Sequence, residues 1–226
     1  MRPLLVALAL LALTACGGDG GREGVDGRTR VDASASLEAL GFFRYARTDR
    51  ARRAAVDEVR SDPEGGIYTE RTRRFYFADG EDLAEGGGRS FLLELQPVLR
   101  AAGVPRLRIR EHFSDQGGYA LTVNGRRYPI LAAADLEHEL FWGIASARVA
   151  ALVNGLLRRA GSRERLYGIN HPASNDFAVF VLTPELRRAV ARVTGEADAP
   201  FSVENAPPQF GYAGEGFGIG EPGSVG

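Results

Sequence analysis

The stretch 119-YALTVNGRRYPIL-131 predicts a β-hairpin and decides the fold class. Asn124-Gly125 is the preferred pair for a type I′ turn, because both central residues of that turn need a positive φ. Pro129 has no backbone donor, so its strand is expected at the edge of a sheet. The hairpin therefore indicates an antiparallel sheet with a free edge.

The turn also sets the register of the two strands. The expected pairs are Val123 with Arg126, Leu121 with Tyr128 and Tyr119 with Ile130. Successive side chains of a strand alternate between the two faces of a sheet, so one face of this hairpin is apolar and is expected to join the core. Its members are Tyr119, Leu121, Tyr128 and Ile130.

Amphipathic segments on both sides of the hairpin predict helices. They are Ser36–Ala46, Thr48–Arg60, Ser90–Ala102, Asp135–Arg159 and a last helix from Pro184. Thr48 or Asp49 and Thr183 are expected N-caps, and Gly103 is expected just after a helix C-terminus. Pro97 should kink or split the third helix.

Further apolar segments predict strands. They are Ile67–Thr69, Arg74–Phe77, Leu166–Ile169 and Phe177–Leu182, with Leu107, Ile109 and Phe113 as core residues of a strand before the hairpin. The polar turn after Thr69 favours a second hairpin. Strands of this kind, interspersed with helices, predict an α+β fold: a two-layer sandwich with helices on one face of a mainly antiparallel sheet. We assign this single domain to residues 33–194.

The charge balance narrows the classes of partner. The 226 residues carry 28 basic and 29 acidic side chains, and every basic one is Arg. Nucleic-acid binding needs a clear basic excess for phosphate contacts, so this class is not expected. The absence of Lys excludes Schiff-base chemistry. No cofactor motif occurs in the sequence, and we predict no cofactor.

The N-terminus has the pattern of an export signal. Arg2 supplies a positive charge, and an unbroken apolar run follows over residues 4–13. Ten helical residues reach about 15 Å, which is too short for a bilayer core of roughly 30 Å. The run is therefore not a transmembrane helix. The next residues, Leu13-Thr14-Ala15-Cys16, resemble the lipobox of bacterial lipoproteins.

The resemblance implies that the signal is cut before Cys16 and that this cysteine carries acyl chains such as palmitate. Such chains anchor a protein to a membrane of the bacterial cell envelope. Gly17 after the cysteine implies the periplasmic face of the outer membrane, where the cell has one. The alternatives are an ordinary secretory signal with a chance cysteine, or a short buried helix. Cys16 is the only cysteine, so no internal disulfide can form.

Both ends of the mature chain are rich in glycine. Residues 17–32 combine Gly with charges and predict a flexible tether. Residues 195–226 contain Gly and Pro and predict a flexible tail. An alternative for the tail is that its aromatic residues contact a partner. These residues are Phe210, Tyr212 and Phe217.

Complete catalytic motifs are absent from the sequence. His138-Glu139 begins like the zinc motif HExxH, but Trp142 stands where the second histidine is required. There is no GxSxG, P-loop or CxxC motif. A polar loop from Asn170 to Asp176 does carry side chains that an active site uses, namely Asn170, His171, Asn175 and Asp176. Asn, Asp and Pro are also ordinary turn formers.

Two charged clusters are further candidates. Asp79, Glu81, Asp82 and Glu85 crowd one turn, where their oxygens could hold Ca²⁺ or simply favour the start of a helix. Arg106, Arg108, Arg110 and His112 alternate along a strand and should project from the face opposite the core. An anionic ligand would relieve the repulsion of this Arg row, whereas the alternative is a solvated face. Glu111 lies on the core side.

The sequence thus leaves several functions open. The first is a noncatalytic, membrane-tethered domain that binds a protein or an anionic ligand. The second is an envelope hydrolase that uses His171 with Asp176, or His112 with a nearby acid. A third, by analogy of form alone, is an immunity-type inhibitor.

Replacing the acceptor cysteine should abolish lipidation. We expect a Cys16→Ser chain to lose labelling by an alkyne analogue of palmitate and to retain residues 1–15, because cleavage in lipoproteins follows acylation. Intact-mass spectrometry measures both, with Thr14→Ser as the matched control that keeps the label. A wild-type protein with an unmodified thiol would contradict the prediction.

Overall fold

A computed structural model of the chain describes residues 26–138, 141–169, 176–195 and 199–202. The helices are α1 (Asp26–Ala39), α2 (Asp49–Ser61), α3 (Pro63–Gly66), α4 (Gly80–Glu85), α5 (Gly88–Ala101), α6 (Phe141–Arg159) and α7 (Pro184–Thr194), with short 3₁₀ turns at Glu70–Thr72 and Ala133–Glu137. The strands are β1 (Phe75–Asp79), β2 (Ile109–Phe113), β3 (Tyr119–Val123), β4 (Arg126–Leu131), β5 (Arg165–Ile169), β6 (Asp176–Leu182) and β7 (Phe201–Ser202).

The strands form two antiparallel sheets. The larger sheet has the order β1-β6-β5-β7, and the smaller sheet has the order β2-β3-β4. The predicted α+β class and antiparallel pairing are confirmed. The division of the strands between two sheets is a long-range feature that local sequence patterns do not report.

Each face of the larger sheet covers a separate hydrophobic core. Successive residues of β6 alternate between the two cores, with Val179 and Val181 on one side and Phe180 and Leu182 on the other. The first core contains α5, α6 and the smaller sheet. The second contains residues of α1, α2 and α7. Helices therefore lie on both faces of the larger sheet, and α6 is buried on most of its circumference because it lies between the sheets.

The hairpin around Asn124-Gly125 is confirmed, with φ values of 52° and 86° at these two residues. Val123 pairs with Arg126 and Leu121 with Tyr128, as the turn type predicts. The third expected pair is wrong, because a bulge shifts the register there. The observed pairs are Tyr119 with Leu131 and Ala120 with Pro129. β4 is an edge strand, as Pro129 predicts.

Several helix boundaries differ from those predicted. The helix expected at Ser36–Ala46 ends at Ala39, because Gly41 turns the chain at φ 78°. α1 begins at Asp26, inside the expected tether, and Leu37 is buried in the second core and holds the helix there. α5 continues through the exposed Pro97, so the expected split does not occur.

The helix expected from Asp135 begins instead at Phe141. Asp135 lies in a 3₁₀ turn, accepts a hydrogen bond from the Ala132 N–H and pairs with Arg148 on α6. These contacts hold the chain in a turn before the helix starts. Burial alone would raise the pKa of Asp135, but the hydrogen bond with Arg148 lowers it overall. Leu136, expected in the core, is 42% exposed.

Two strand predictions are also wrong. No strand forms at Ile67–Thr69, because Ile67 enters the second core and β1 pairs with β6 over a long sequence separation. Phe113, expected in the core, is 65% exposed. Phe113 is the last residue of β2. Its ring lies over Gly86 and stacks on Tyr119, with 5.0 Å between the ring centroids.

Capping positions and the remaining strands follow the prediction. Thr48 and Thr183 accept hydrogen bonds from Ala51 N–H and Leu186 N–H. Gly103 adopts φ 92° after α5. The folded domain extends past the predicted boundary at residue 194, since β7 pairs with β5. None of the helices in these ranges is long and apolar enough to cross a membrane.

A buried ion pair joins these layers. The Arg74 side chain is fully buried and contacts Glu164, which is 1% exposed, at 2.9 Å between Nη1 and Oε1. Arg74 also donates to the carbonyl oxygens of Phe42 at 2.6 Å, Val181 at 2.6 Å and Gly41 at 3.0 Å. One guanidinium therefore links the α1–α2 connection, the start of β1, β6 and the start of β5.

Neutralising Glu164 should destabilise the domain strongly. In Glu164→Gln the buried Arg74 keeps its charge but loses its counter-ion, so we expect a loss of about 3 kcal/mol or more in the free energy of unfolding. The matched control is Glu185→Gln, whose pair with the exposed Arg163 is screened by solvent, so its loss should change stability little. Urea denaturation measures both. Equal, small losses would contradict the assigned role of the pair.

Candidate functional site

The predicted Arg row lies on the outer face of the smaller sheet. Arg110 on β2 is opposite Thr122 on β3, which is opposite Arg127 on β4, so the three side chains cross the sheet on one face. Since side chains alternate along a strand, His112 shares this face. Arg106 and Arg108 precede β2 in the same alternation and are exposed. We call these residues the basic face: Arg106, Arg108, Arg110, His112, Thr122 and Arg127.

The hairpin turn fixes one end of the basic face. The Asn124 side chain accepts a hydrogen bond from the Arg108 N–H at 2.9 Å, and the Arg108 carbonyl accepts one from the Asn124 N–H at 2.9 Å. These two bonds extend the pairing of β2 past Ile109. The turn that sets the hairpin register thus also holds the backbone of Arg108 in the row.

No acidic side chain neutralises the basic face within the described residues. β3 and β4 contain no Asp or Glu. Glu111 points to the other side, as predicted, where its Oε1 accepts a hydrogen bond from the Tyr119 hydroxyl at 3.1 Å. This bond and burial raise the pKa of Tyr119. In the same ranges, the guanidinium groups of Arg106, Arg108, Arg110 and Arg127 form no ion pair.

The prediction that His112 works with a nearby acid is not met. Its Nε2 lies 2.9 Å from the Thr122 hydroxyl oxygen. Thr122 is on the adjacent strand and belongs to the same face, so the pair is polar but carries no carboxylate. Among the residues that the structure describes, His112 has no acidic hydrogen-bond partner.

The acidic turn caps and stabilises the N-terminus of α4. Asp79 caps α4 by accepting hydrogen bonds from Glu81 N–H at 2.9 Å and Asp82 N–H at 3.4 Å. Glu81 and Asp82 stand in the first turn of α4, where acids favour the helix dipole, and Glu85 ends the helix. Within the described ranges, no three His, Cys, Asp or Glu side chains are grouped as a metal ion would require. The calcium-site prediction is therefore not supported by this arrangement.

Other predicted site residues lie outside the described residues. These are Cys16 and the loop residues Asn170, His171 and Asn175. The backbone of Asp176 is at the start of β6, opposite Asp79 of β1. The structure therefore does not test the pairing of His171 with Asp176.

A groove that the sequence analysis missed runs along the free edge of β1. Its volume is about 450 Å³. The residues that line it come from three separate segments, 47–51, 70–77 and 94–97, and include Arg47, Arg73, Phe75, Phe77, Glu94 and Pro97. Burial, followed by the charge of Glu70, raises the pKa of Glu94. No local motif could have indicated the groove, because its parts are distant in the sequence.

Comparisons with family models, curated proteins and solved structures find no match to this chain.

Proposed function

We propose that this chain is a lipid-anchored protein of the bacterial cell envelope whose folded domain binds an anionic partner through the basic face. The observation that carries the binding part is that four exposed Arg side chains, on one face of the smaller sheet and in the segment leading into it, have no acidic partner among the described residues. The lipobox-like sequence ending at Cys16 supports the anchoring part.

The chemistry of the basic face suits recognition of oxyanions. Guanidinium groups donate paired hydrogen bonds to carboxylate, phosphate and sulfate groups. Thr122 lies between Arg110 and Arg127, and the imidazole of His112 contacts its hydroxyl, so the basic face also carries polar groups of a different geometry. A ligand with several regularly spaced anionic groups matches this arrangement best.

The repulsion between the Arg side chains favours binding of an anionic ligand, but it is too small to make the ligand necessary for folding. Alternate residues of a strand are about 7 Å apart, so two Arg charges repel by about 0.6 kcal/mol in water. That repulsion is small enough for the free face to remain solvated. An anion between two guanidinium groups gains an attraction to each of them, so the row binds anions better than a single Arg does.

Lipidation would raise the effective concentration of the domain at the membrane. At least two acyl chains are needed for stable attachment, and a domain held there meets anionic groups on the same surface at a high local concentration. The proposal therefore joins a stable lipid anchor and a basic face that binds anions on one membrane.

The binding role is tested by comparing the loss of three Arg side chains from the basic face with the loss of three Arg side chains from another surface. The chain from Gly17 onward is compared with a face variant, Arg106→Ala/Arg108→Ala/Arg110→Ala, and a control variant, Arg50→Ala/Arg53→Ala/Arg192→Ala. The control residues are also exposed and form no ion pair in the described ranges. Immobilised heparin serves as the polyanionic probe.

We expect the face variant to bind at least about tenfold more weakly than the wild type and the control to bind within about twofold of it, because only the face variant loses adjacent anion contacts. Salt-dependent elution measures the difference. Equal weakening of both variants would assign the effect to net charge and contradict the proposal, as would a wild type that does not bind.

A further inference from the structure

β1 is an edge strand whose outer backbone groups are unpaired in the described part of the chain. The Val181 N–H donates to the Arg74 carbonyl at 2.8 Å, which fixes the alternation of hydrogen bonds between β1 and β6. By that alternation Phe75 and Phe77 direct their N–H and C=O groups away from β6. These are the groups that an added strand would need.

The groove beside this edge lies where an added strand would have to bind. Ala51 of α2 lies on one side, Pro97 of α5 lies on the other, and residues 75–77 of β1 lie between them. α5 packs in the first core and α2 in the second, so the groove lies between the helical layers on the two faces of the larger sheet. Its volume of about 450 Å³ is within the roughly 300–1,000 Å³ of typical ligand sites.

An aromatic surface lies on one side of the groove. The Phe77 side chain is 59% exposed and packs edge-to-face on Phe75, with 4.8 Å between ring centroids. Exposed large apolar side chains beside a free sheet edge are unfavourable in water and mark interaction sites. The occupant should therefore be an extended peptide that carries aromatic side chains on one face.

We propose that the C-terminal tail of this same chain, residues 203–226, docks in the groove and adds a short strand to β1. The stretch FGYAGEGFGI at 210–219 contains the pairs Phe210/Tyr212 and Phe217/Ile219, each with a glycine between its members. In an extended strand either pair points to one face and its glycine to the other. Aromatic residues would then pack on Phe77, and glycines would face Pro97, where space for a side chain is not needed.

Length and charge support this occupant. β7 is three strands away from β1 in the sheet, about 14 Å. The 24 residues that follow Ser202 reach about 80 Å when extended. They carry three Glu and no basic residue. The groove is lined by three Arg and two Glu, and Arg47 and Arg73 have no ion-pair partner in the described ranges.

The docked tail would bind by strand addition, in which main-chain hydrogen bonds give affinity and alternate side chains give specificity. The inference does not depend on the basic face or on lipidation. It concerns a different sheet and a different occupant, so its failure would leave the proposed function untouched.

Amide hydrogen exchange tests the proposal. Both hydrophobic cores are formed by residues 26–202, so a chain that ends at Ser202 should fold. We expect exchange in residues 74–79 to be at least about tenfold faster in the truncated chain than in the chain from Gly17 to Gly226. β4, an edge strand of the smaller sheet, is the internal control and should change less than about twofold.

A peptide of residues 203–226 added to the truncated chain should restore protection of residues 74–79. Phe77→Ala should weaken peptide binding at least about tenfold, whereas Phe113→Ala, an equally exposed aromatic on the smaller sheet, should leave it within about twofold. Unchanged exchange on truncation would overturn the proposal. Equal changes at β1 and β4, or protection of β2–β4 by the peptide, would overturn it as well.

Discussion

The buried guanidinium of Arg74 is the interaction on which the arrangement of the larger sheet depends. A cation without solvent contact is tolerated only where a counter-ion and hydrogen-bond acceptors surround it. Glu164 supplies the charge, and three backbone carbonyls supply the acceptors. Glu164 is held in turn by Arg44 and by the Tyr45 hydroxyl, and burial together with that hydrogen bond raises the pKa of Tyr45 to about 12. Each group is in place because the others are.

This network determines where β1 lies, and hence one of the two surfaces of interest. Arg74 precedes β1 directly and binds the connection that leads into α2, so α2 is held beside the free edge and the groove forms between α2 and α5. The basic face has a different origin, because it depends on the hairpin turn and on packing of the smaller sheet against α6. The domain therefore presents two surfaces that mutations can alter separately.

The sequence predicted those features whose causes are local. The hairpin at Asn124-Gly125, the caps at Thr48 and Thr183 and the Arg row each depend on neighbouring residues, and the structure has them. The Arg74–Glu164 pair joins residues 90 positions apart, and no pattern in either segment indicates it. The groove was missed for the same reason. Phe113 shows what the alternation of side chains along a strand cannot predict. The alternation assigns Phe113 to the core face of β2, but it does not indicate whether a helix covers that end of the strand. The functional proposals rest on the N-terminal sequence and on the charge of the basic face.

A double-mutant cycle on Arg74 and Glu164 tests the central claim most directly. Urea denaturation gives the free energy of unfolding for the wild type, Arg74→Met, Glu164→Met and the double variant. If the two charges require each other, the double variant loses less stability than the sum of the single losses, by about 1.5 kcal/mol or more. Additive losses would show that the two side chains contribute independently and would contradict the account.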